Sequence, residues 1–399
     1  MNLEVPGVES VEVRGKRVLV RVDFNIPLID GRVSDDTRLR ASLPTIEYLC
    51  REEATVILCS HLGRPAGIPQ DTLRLKPIAD HLGNLLGQPV KYSRDCVGDQ
   101  TKKDCDDTEP GKVILLENLR FHSGEEKNDP IFAHALASNA EIFVNDAFGS
   151  MHRSHASTVG VASCLPGYTG FLVDRELTML STVRDNPQRP FSMILGGAKV
   201  SDKLPLLTNL IDRVDTILIG GGMVATFLHA AGYQIDEDLI DKQSIGTTSK
   251  IIEMARQRNV ELVLPKDVIV ARDFTENAPH HTVPVDAIPS GHLIADVGPF
   301  TTTEFHAALA KAKTIFWNGP LGVFELTPFS SGTRLLAECI VRIPDATTVV
   351  GGGSTAEAIS SLGLEHQVTH VSTGGGASLD FLGGANLPGL EALKRNLHR

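Results

Sequence analysis

The sequence predicts an α/β protein of two lobes, each a parallel sheet covered by helices on both faces, joined by a hinge helix. Three observations carry this. Short Val/Ile/Leu runs alternate with helix-length amphipathic stretches along the whole chain, the pattern of strands buried on both faces. The chain has 399 residues, more than one core fills and enough for two domains. Five times between Phe191 and Asp380, an apolar run breaks into a glycine turn that opens a new periodic segment.

In the first half, strands are expected at 17–24 (RVLVRVDF), 54–60 (ATVILCS), 112–118 (KVILLEN) and 140–146 (AEIFVND), with helices over Arg38–Arg51 and Lys76–Leu86. Ligands of such sheets lie beyond the carboxyl ends of the strands. The residues there are Asp23 and Asn25, then His61 and Arg64, then Arg120 and His122, then His152, Arg153 and His155. One arginine at such a place reads as a surface ion pair. A set at equivalent positions reads as a cationic bowl, because guanidinium forks grip carboxylate and phosphate in bidentate fashion. The spacing of His61, His122, His152 and His155 matches no common zinc pattern, and no cysteine or carboxylate cluster accompanies them. They read as hydrogen-bonding groups around an anion.

A domain boundary is expected near Gly167–Gln188, with an amphipathic helix at Phe171–Arg184 whose Leu172, Leu177, Met179 and Leu180 read as interdomain packing. The second half holds the five glycine turns: MILGGAKVSDK (193–203), ILIGGGMVATFL (217–228), IFWNGPLGVFE (315–325), VVGGGSTAEAI (349–359) and VSTGGGASLDFL (371–382). A strand that ends in glycines with a helix starting at once offers bare N–H groups and a positive helix end, which suits phosphate. Five in one region suggest a nucleotide site. With a helix starting near Ala198, Lys199 and Lys203 would share a face of its first turns, a placement unfavourable to the helix dipole unless an anion joins them. Neither a Walker-type nor a dinucleotide-binding glycine fingerprint follows any strand.

Composition excludes other classes. Lys+Arg 38 against Asp+Glu 49 gives a net charge of −11 without a block of like charge, which disfavours nucleic acid and anionic membrane as partners. The N-terminus lacks a signal-peptide core and no apolar run approaches membrane-spanning length. Six cysteines without a Cys-x-x-Cys pair read as reduced thiols of a cytoplasmic protein.

The strings RVDFNIPL, DDTRLRASLPTI, SHLGRP, ENLRFH, NDAFGSMHRSHAST, GGAKVSDK, GGGMVATFL, WNGPLGVFE, GGGST and TGGGASLD, in this order from residue 17 to 383, resemble the phosphoglycerate kinase family. The resemblance implies two doubly wound, Rossmann-like lobes and transfer of the acyl phosphate of 1,3-bisphosphoglycerate to ADP, giving 3-phosphoglycerate and ATP, with Mg2+. It implies a phosphoglycerate-binding domain over 1–170, a hinge helix over 171–188, a nucleotide-binding domain over 189–380 and a segment, 381–399, returning to the first domain. Asp23, Asn25, Arg38, His61, Arg64, Arg120 and Arg153 would bind the glycerate substrate. Arg38, Lys199, Lys203, Gly352 and Gly375 would act on the transferred group. Gly196, Gly197, Ala198, Lys203, Gly220, Gly221, Gly222, Pro320, Glu325, Gly351, Gly352, Gly353, Ser354 and Thr355 would line the nucleotide, and the turn Gly374–Gly376 would present a second helix N-terminus. The expected assembly is a monomer without nucleic-acid or membrane partners.

Two positions depart from the family pattern. Most members carry an acid that coordinates Mg2+ where this chain has Ser354, and a glycine beside the adenine where it has Ala295. Ser354 therefore has two readings: N-cap of a helix beginning at Thr355, and neutral oxygen ligand of nucleotide-held Mg2+. The alternative function is a non-catalytic two-lobed nucleotide- or anion-binding homologue, for which Ser354 is the sequence support.

Overall fold

The computed structural model describes residues 5–197 and 199–396. The chain divides into two compact units, Met1–Thr178 with Asn386–Arg399, and Met179–Ala385.

The first unit carries a six-stranded sheet of β1 (Arg17–Arg21), β2 (Thr55–Cys59), β3 (Val90–Tyr92), β4 (Val113–Leu115), β5 (Ile142–Asn145) and β6 (Gly167–Thr169). Their order is β3-β4-β2-β1-β5-β6, and every pairing is parallel. The four expected strands are thus neighbours, with their carboxyl ends along one edge. Val18, Leu19 and Val20 are consecutive and wholly buried. That is why the run is continuous rather than alternating: both faces of the sheet are covered. One cover is made by α1 (Thr37–Arg51) and α2 (Lys76–Leu86), whose Leu39, Ile46, Leu49, Ile78 and Leu82 pack with Val18, Val20, Val56 and Leu58. Helix α1 runs through Pro44, a residue that breaks isolated helices; burial of its apolar face offsets the lost backbone hydrogen bond.

Helix α3 (Phe171–Asp185) begins where the boundary helix was expected, and the division between the units falls inside it. The second unit carries β7 (Phe191–Leu195), β8 (Thr216–Ile219), β9 (Glu261–Val263), β10 (Asp267–Ala271), β11 (His280–Pro284), β12 (Leu293–Val297), β13 (Thr314–Asn318), β14 (Thr347–Gly351) and β15 (His370–Val371). Six form a parallel sheet in the order β9-β8-β7-β13-β14-β15, and β11-β10-β12 form a separate antiparallel sheet. All five glycine turns follow strands of the parallel sheet. Its core includes Ile194, Leu218, Ile315, Trp317, Leu336 and Ile359.

The helices that follow are α4 (Leu204–Leu210), α5 (Val224–Ala230), α6 (Ser331–Ile340), α7 (Gly353–Ser361) and α8 (Gly376–Leu382). Two turns do not open a helix at once, contrary to the sequence expectation. After Gly319-Pro320 the chain stays irregular until a short 3-10 turn at Thr327–Phe329. After Gly196-Gly197 the α-helix starts only at Leu204, behind a 3-10 turn at Ser201–Lys203. Pro205 sets that start, because proline is tolerated only in the first turn, where its missing N–H has no intrahelical partner. Lys199 and Lys203 therefore do not share a helix face. Ala198 lies outside the described residues.

Candidate active site

In the first unit, the sheet edge beyond β4, β2, β1 and β5 gathers most of the predicted residues. Their loops hold one another by backbone contacts. Ser60 Oγ accepts the Phe24 amide at 2.9 Å, Asn25 Oδ1 accepts the Gly63 amide at 2.9 Å, and Arg120 Nη1 donates to the Gly63 carbonyl at 2.7 Å. Asn118 braces the same loops, accepting the Leu62 and Arg120 amides and donating to the Leu62 and Leu73 carbonyls. Side chains reaching this edge are thereby fixed by backbone geometry rather than by their own flexibility.

Arg38, in the first turn of α1, pairs with Asp23 at 2.8 Å, whose side chain is largely buried. The second oxygen of Asp23, Oδ1, is buried with no hydrogen-bond partner among the described residues. His61 is buried, and burial holds its ring well below the ordinary imidazole pKa, reinforced by the charges of Arg21, Arg120 and Arg153 and by His155. His155 is pushed down to about 4, by burial first and then by Arg120, Arg21 and Arg153. Burial also lowers Arg120, against Glu126. These shifts come first from burial and then from crowded cations, whose charge Glu125 and Glu126 offset in part at Arg120.

The structure does not bring every predicted residue in. Arg64 is exposed and makes no hydrogen bond or ion pair with a described residue. His122 leaves the expected set of histidines: its Nε2 meets Asp95 Oδ1 at 2.7 Å and its ring stacks on Phe132. Asp95, Cys96 and His122 place their ligand atoms within 4.8 Å of one another. A carboxylate and a cysteine thus do accompany one of these histidines, contrary to the sequence expectation, because the fold brings residues 95, 96 and 122 together.

In the second unit the first three glycine turns interlock. Gly196 and Gly197 donate their amides to the Asn318 and Pro320 carbonyls at 2.9 and 3.0 Å, and Gly220 and Gly221 donate to Leu195 and Leu321 at 2.8 and 2.9 Å. A Cβ on Gly196 would stand 2.1 Å from the Pro320 carbonyl oxygen. These glycines let three strand ends close on one another, and their amides are consumed in doing so. The expectation that they offer bare N–H groups is corrected accordingly.

The turn Gly351–Gly353 behaves as expected of an anion site. Gly352 adopts φ +93° and stands at the N-cap of α7. Among the described residues, no acceptor meets the amides of Gly353, Ser354 and Thr355, so the positive end of the helix is open. Thr355 is buried and its Oγ1 accepts the Gly319 amide at 2.7 Å. Ser354 is the second residue of α7 and exposed, not its N-cap, because the left-handed turn at Gly352 has already started the helix. The capping reading of Ser354 is wrong.

Lys203, mostly buried, hydrogen-bonds the Oδ1 of Asn318 at the end of β13, and burial lowers its pKa. Asn318 Nδ2 is buried without a partner among the described residues. Asn318 escaped the sequence reading, although it closes the apolar run before Gly319; the carboxyl-end rule applies to a strand's last residue as well as to its turn. Lys199 is exposed, Pro320 half-buried and Glu325 exposed. Ala295 packs in a small cluster with Ala271, Ala278 and Phe329.

Among the described residues, the one group of three His, Cys, Asp or Glu side chains with ligand atoms close enough to share an ion is Asp95, Cys96 and His122, and none lies at the start of α7.

Residues 8–385 match the phosphoglycerate kinase family. The chain is 50% identical over 386 residues to a phosphoglycerate kinase of Moorella thermoacetica, covering 97% of this chain and 98% of that protein. It is 49% identical to one of Dictyoglomus turgidum, covering 96% of each. Its fold is similar to the structure of phosphoglycerate kinase from Coxiella burnetii, with a TM-score of 0.87, 39% identity, and 98% and 99% of the two chains covered. A crystal structure of the kinase from Pyrococcus horikoshii OT3 matches with the same TM-score, 32% identity, and 98% and 99% coverage.

Proposed function

The chain belongs to the phosphoglycerate kinase family, and from that premise we propose how its own residues carry the reaction. The activity is reversible phosphoryl transfer from 1,3-bisphosphoglycerate to ADP, giving 3-phosphoglycerate and ATP, the kinase step of glycolysis. Arg38, His61, Arg64, Arg120 and Arg153 hold the phosphate and carboxylate of the acid, and Asp23 with Asn25 takes its hydroxyl end. The observation that carries this reading is the crowding of Arg120, Arg153 and His155 around buried His61, beside an Asp23 oxygen that has no partner. A cationic site supplies the charge, and the orphan acceptor suits a substrate hydroxyl.

On the nucleotide side, the open amides of α7 and the Lys203 ammonium face anionic phosphate in this reading, with Lys199, Gly375 and the turn at Gly374–Gly376 acting on the migrating group. Gly196, Gly197, Gly220–Gly222, Pro320 and Glu325 line the base and ribose, their turns fixed by interlocking. Phosphoryl transfer asks the protein chiefly for in-line positioning and for neutralisation of charge on the equatorial oxygens. Arg38, Lys199, Lys203 and the amides of α7 supply both. ADP attacks through an oxygen that is already anionic, so no general base is needed in that direction. Mg2+ would be held chiefly by the nucleotide's phosphates, with the exposed Ser354 hydroxyl at the start of α7 as its neutral oxygen neighbour.

The same reading has the enzyme acting as a cytoplasmic monomer. All six cysteines are unpaired, as in a reducing compartment, and among the described residues no helix is long and apolar enough to cross a membrane.

A coupled assay for ATP formation on the purified protein, with calorimetry of 3-phosphoglycerate and of ADP, tests the assignment. Turnover with both ligands bound supports it; binding of both without turnover would mark a non-catalytic homologue. Lys203→Ala should weaken ADP and ATP by about 1.5–3 kcal/mol and leave 3-phosphoglycerate nearly unchanged. Equal weakening of both ligands contradicts the separation of the two sites.

A further inference from the structure

We infer that Arg21 is the positioning residue of the acid site, fixing His61 as the neutral imidazole protonated at Nε2; the inference rests on the reading of the basic strand ends as that site. Arg21 is the last residue of β1 and is wholly buried. Each of its three guanidinium nitrogens has a partner. Nε donates to Ser157 Oγ at 2.9 Å, Nη1 donates to the Val22 carbonyl, and Nη2 lies 3.0 Å from His61 Nδ1.

A guanidinium only donates. The His61 Nδ1 facing it must therefore accept, and the single ring proton is left on Nε2. Protonating Nδ1 as well would set two donors against each other. It would also add a positive charge where Arg21, Arg120 and Arg153 already act on the ring. Every neighbour pushes toward the same state.

The buried cation has its own support, and that too is directional. Ser157 has one hydroxyl proton. Having accepted from Arg21, it donates to Glu125 Oε1 at 2.6 Å, while its amide donates to Oε2 at 2.9 Å. Glu125 is wholly buried. Donation thus runs from Arg21 through Ser157 to Glu125 on one side, and from Arg21 to His61 on the other. No member of the chain can reverse without leaving a buried donor opposite another donor, or an acceptor opposite an acceptor.

The consequence divides the labour of the site. Arg38, Arg120 and Arg153 supply charge to an anion, and His61 supplies one oriented N–H and no charge. Binding through His61 then does not fade as pH rises past the ordinary imidazole pKa of about 6.5.

The test is long-range 1H–15N correlation NMR on protein with 15N-labelled histidine, with His61 assigned by its loss in His61→Gln. In the wild type, His61 should show the Nε2–H pattern, unchanged from pH 6 to 8.5. An Nδ1–H pattern, or a transition near pH 6.5, overturns the inference. Arg21→Met alone strands the Glu125 charge in the core, so the second arm uses Arg21→Met with Glu125→Gln. In that variant His61 should lose the fixed Nε2–H pattern and its protonation should move to higher pH than in the wild type, while burial, Arg120 and Arg153 still oppose its charge. The Kd for 3-phosphoglycerate should rise roughly tenfold at pH 8 and tighten as falling pH protonates His61, with ADP binding unchanged. A double variant that keeps the Nε2–H pattern and the wild-type Kd shows that Arg21 does not set His61, and overturns the inference. A wild type that fails to bind 3-phosphoglycerate with the Nε2–H pattern intact overturns the acid-site reading, and with it the role given to Arg21. A wrong tautomer in a wild type that binds overturns the Arg21 inference alone.

Discussion

Arg38 and Asp23 form an ion pair whose partners differ in burial: the arginine side chain is 36% exposed and the aspartate 11%. Arg38 can thus turn toward a ligand while Asp23 stays fixed, which suits a group that follows charge as it develops. Arg38→Ala should lower kcat roughly 100-fold or more while weakening 3-phosphoglycerate less than about tenfold, the signature of a contact made chiefly in the transition state. Loss confined to KM would make Arg38 an ordinary binding residue. Ser354 yields a second prediction, reshaped by its place inside α7. A carboxylate in the first turn of a helix is favourable, so Ser354→Asp should stabilise the fold by about 0.3–1 kcal/mol and lower the Mg2+ concentration giving half-maximal kcat. Ser354→Ala should change stability by less than about 0.5 kcal/mol, because no cap is lost. If the Mg2+ titrations of the wild type and Ser354→Asp superimpose, position 354 has no part in holding the ion.

The start of α3 is held by one hydroxyl and one carboxyl: Thr45 Oγ1 accepts the Phe171 amide at 3.0 Å. Asp146, just past β5, accepts the Leu172 amide at 2.9 Å and the Val173 amide at 3.4 Å through Oδ1. Its Oδ2 is buried, and the Thr45 side chain reaches the carboxyl. A Cβ at Gly170 would come within 2.2 Å of Oδ1, so glycine there is a requirement of close approach. Burial pushes Asp146 up from 3.8 to about 7. The folded state therefore favours the protonated acid. Its contribution to stability is complete below about pH 3.8 and is lost as pH rises through about 7, at no more than roughly 1.4 kcal/mol per pH unit. Asp146→Asn keeps the carbonyl acceptor and never ionises. It should match the wild type near pH 4, exceed it at pH 8, and flatten the slope in denaturant titrations taken between. An unchanged slope would show that Asp146 stays ionised in the fold. Asp296, also near 7 through burial, should leave a residual slope of the same sign.

At the scale of the molecule, the proposed roles put the acid on one compact unit and the nucleotide on the other, so transfer requires the units to bring donor and acceptor together. Excluding water at that moment protects the acyl phosphate from hydrolysis. Small-angle scattering should show the radius of gyration falling slightly with either ligand and most with 3-phosphoglycerate and a non-hydrolysable ATP analogue together. A radius unchanged across all four states counts against closure.

The sequence by itself determined the parallel sheets, the strands that carry the site, and the order of their basic and glycine-rich ends. Apolar runs and turn residues act within about ten positions of one another, and Val18–Val20 or Ile315–Trp317 state their burial without reference to the rest of the chain. The start of α4 was misplaced near Ala198, although Pro205 marks it. Which amides stay open was not legible, because Gly196 and Gly221 are closed by carbonyls of the segment 318–321, about a hundred residues away, once β7, β8 and β13 lie side by side. The same holds for Lys203 on Asn318, 115 residues apart, for Arg21 with Ser157, 136 apart, and for Asp95 with His122. Strand order decides these contacts, and strand order is fixed by which arrangement buries both sheet faces at once. A hydrogen bond needs its partners placed to within a few tenths of an ångström, and only the packed core supplies that.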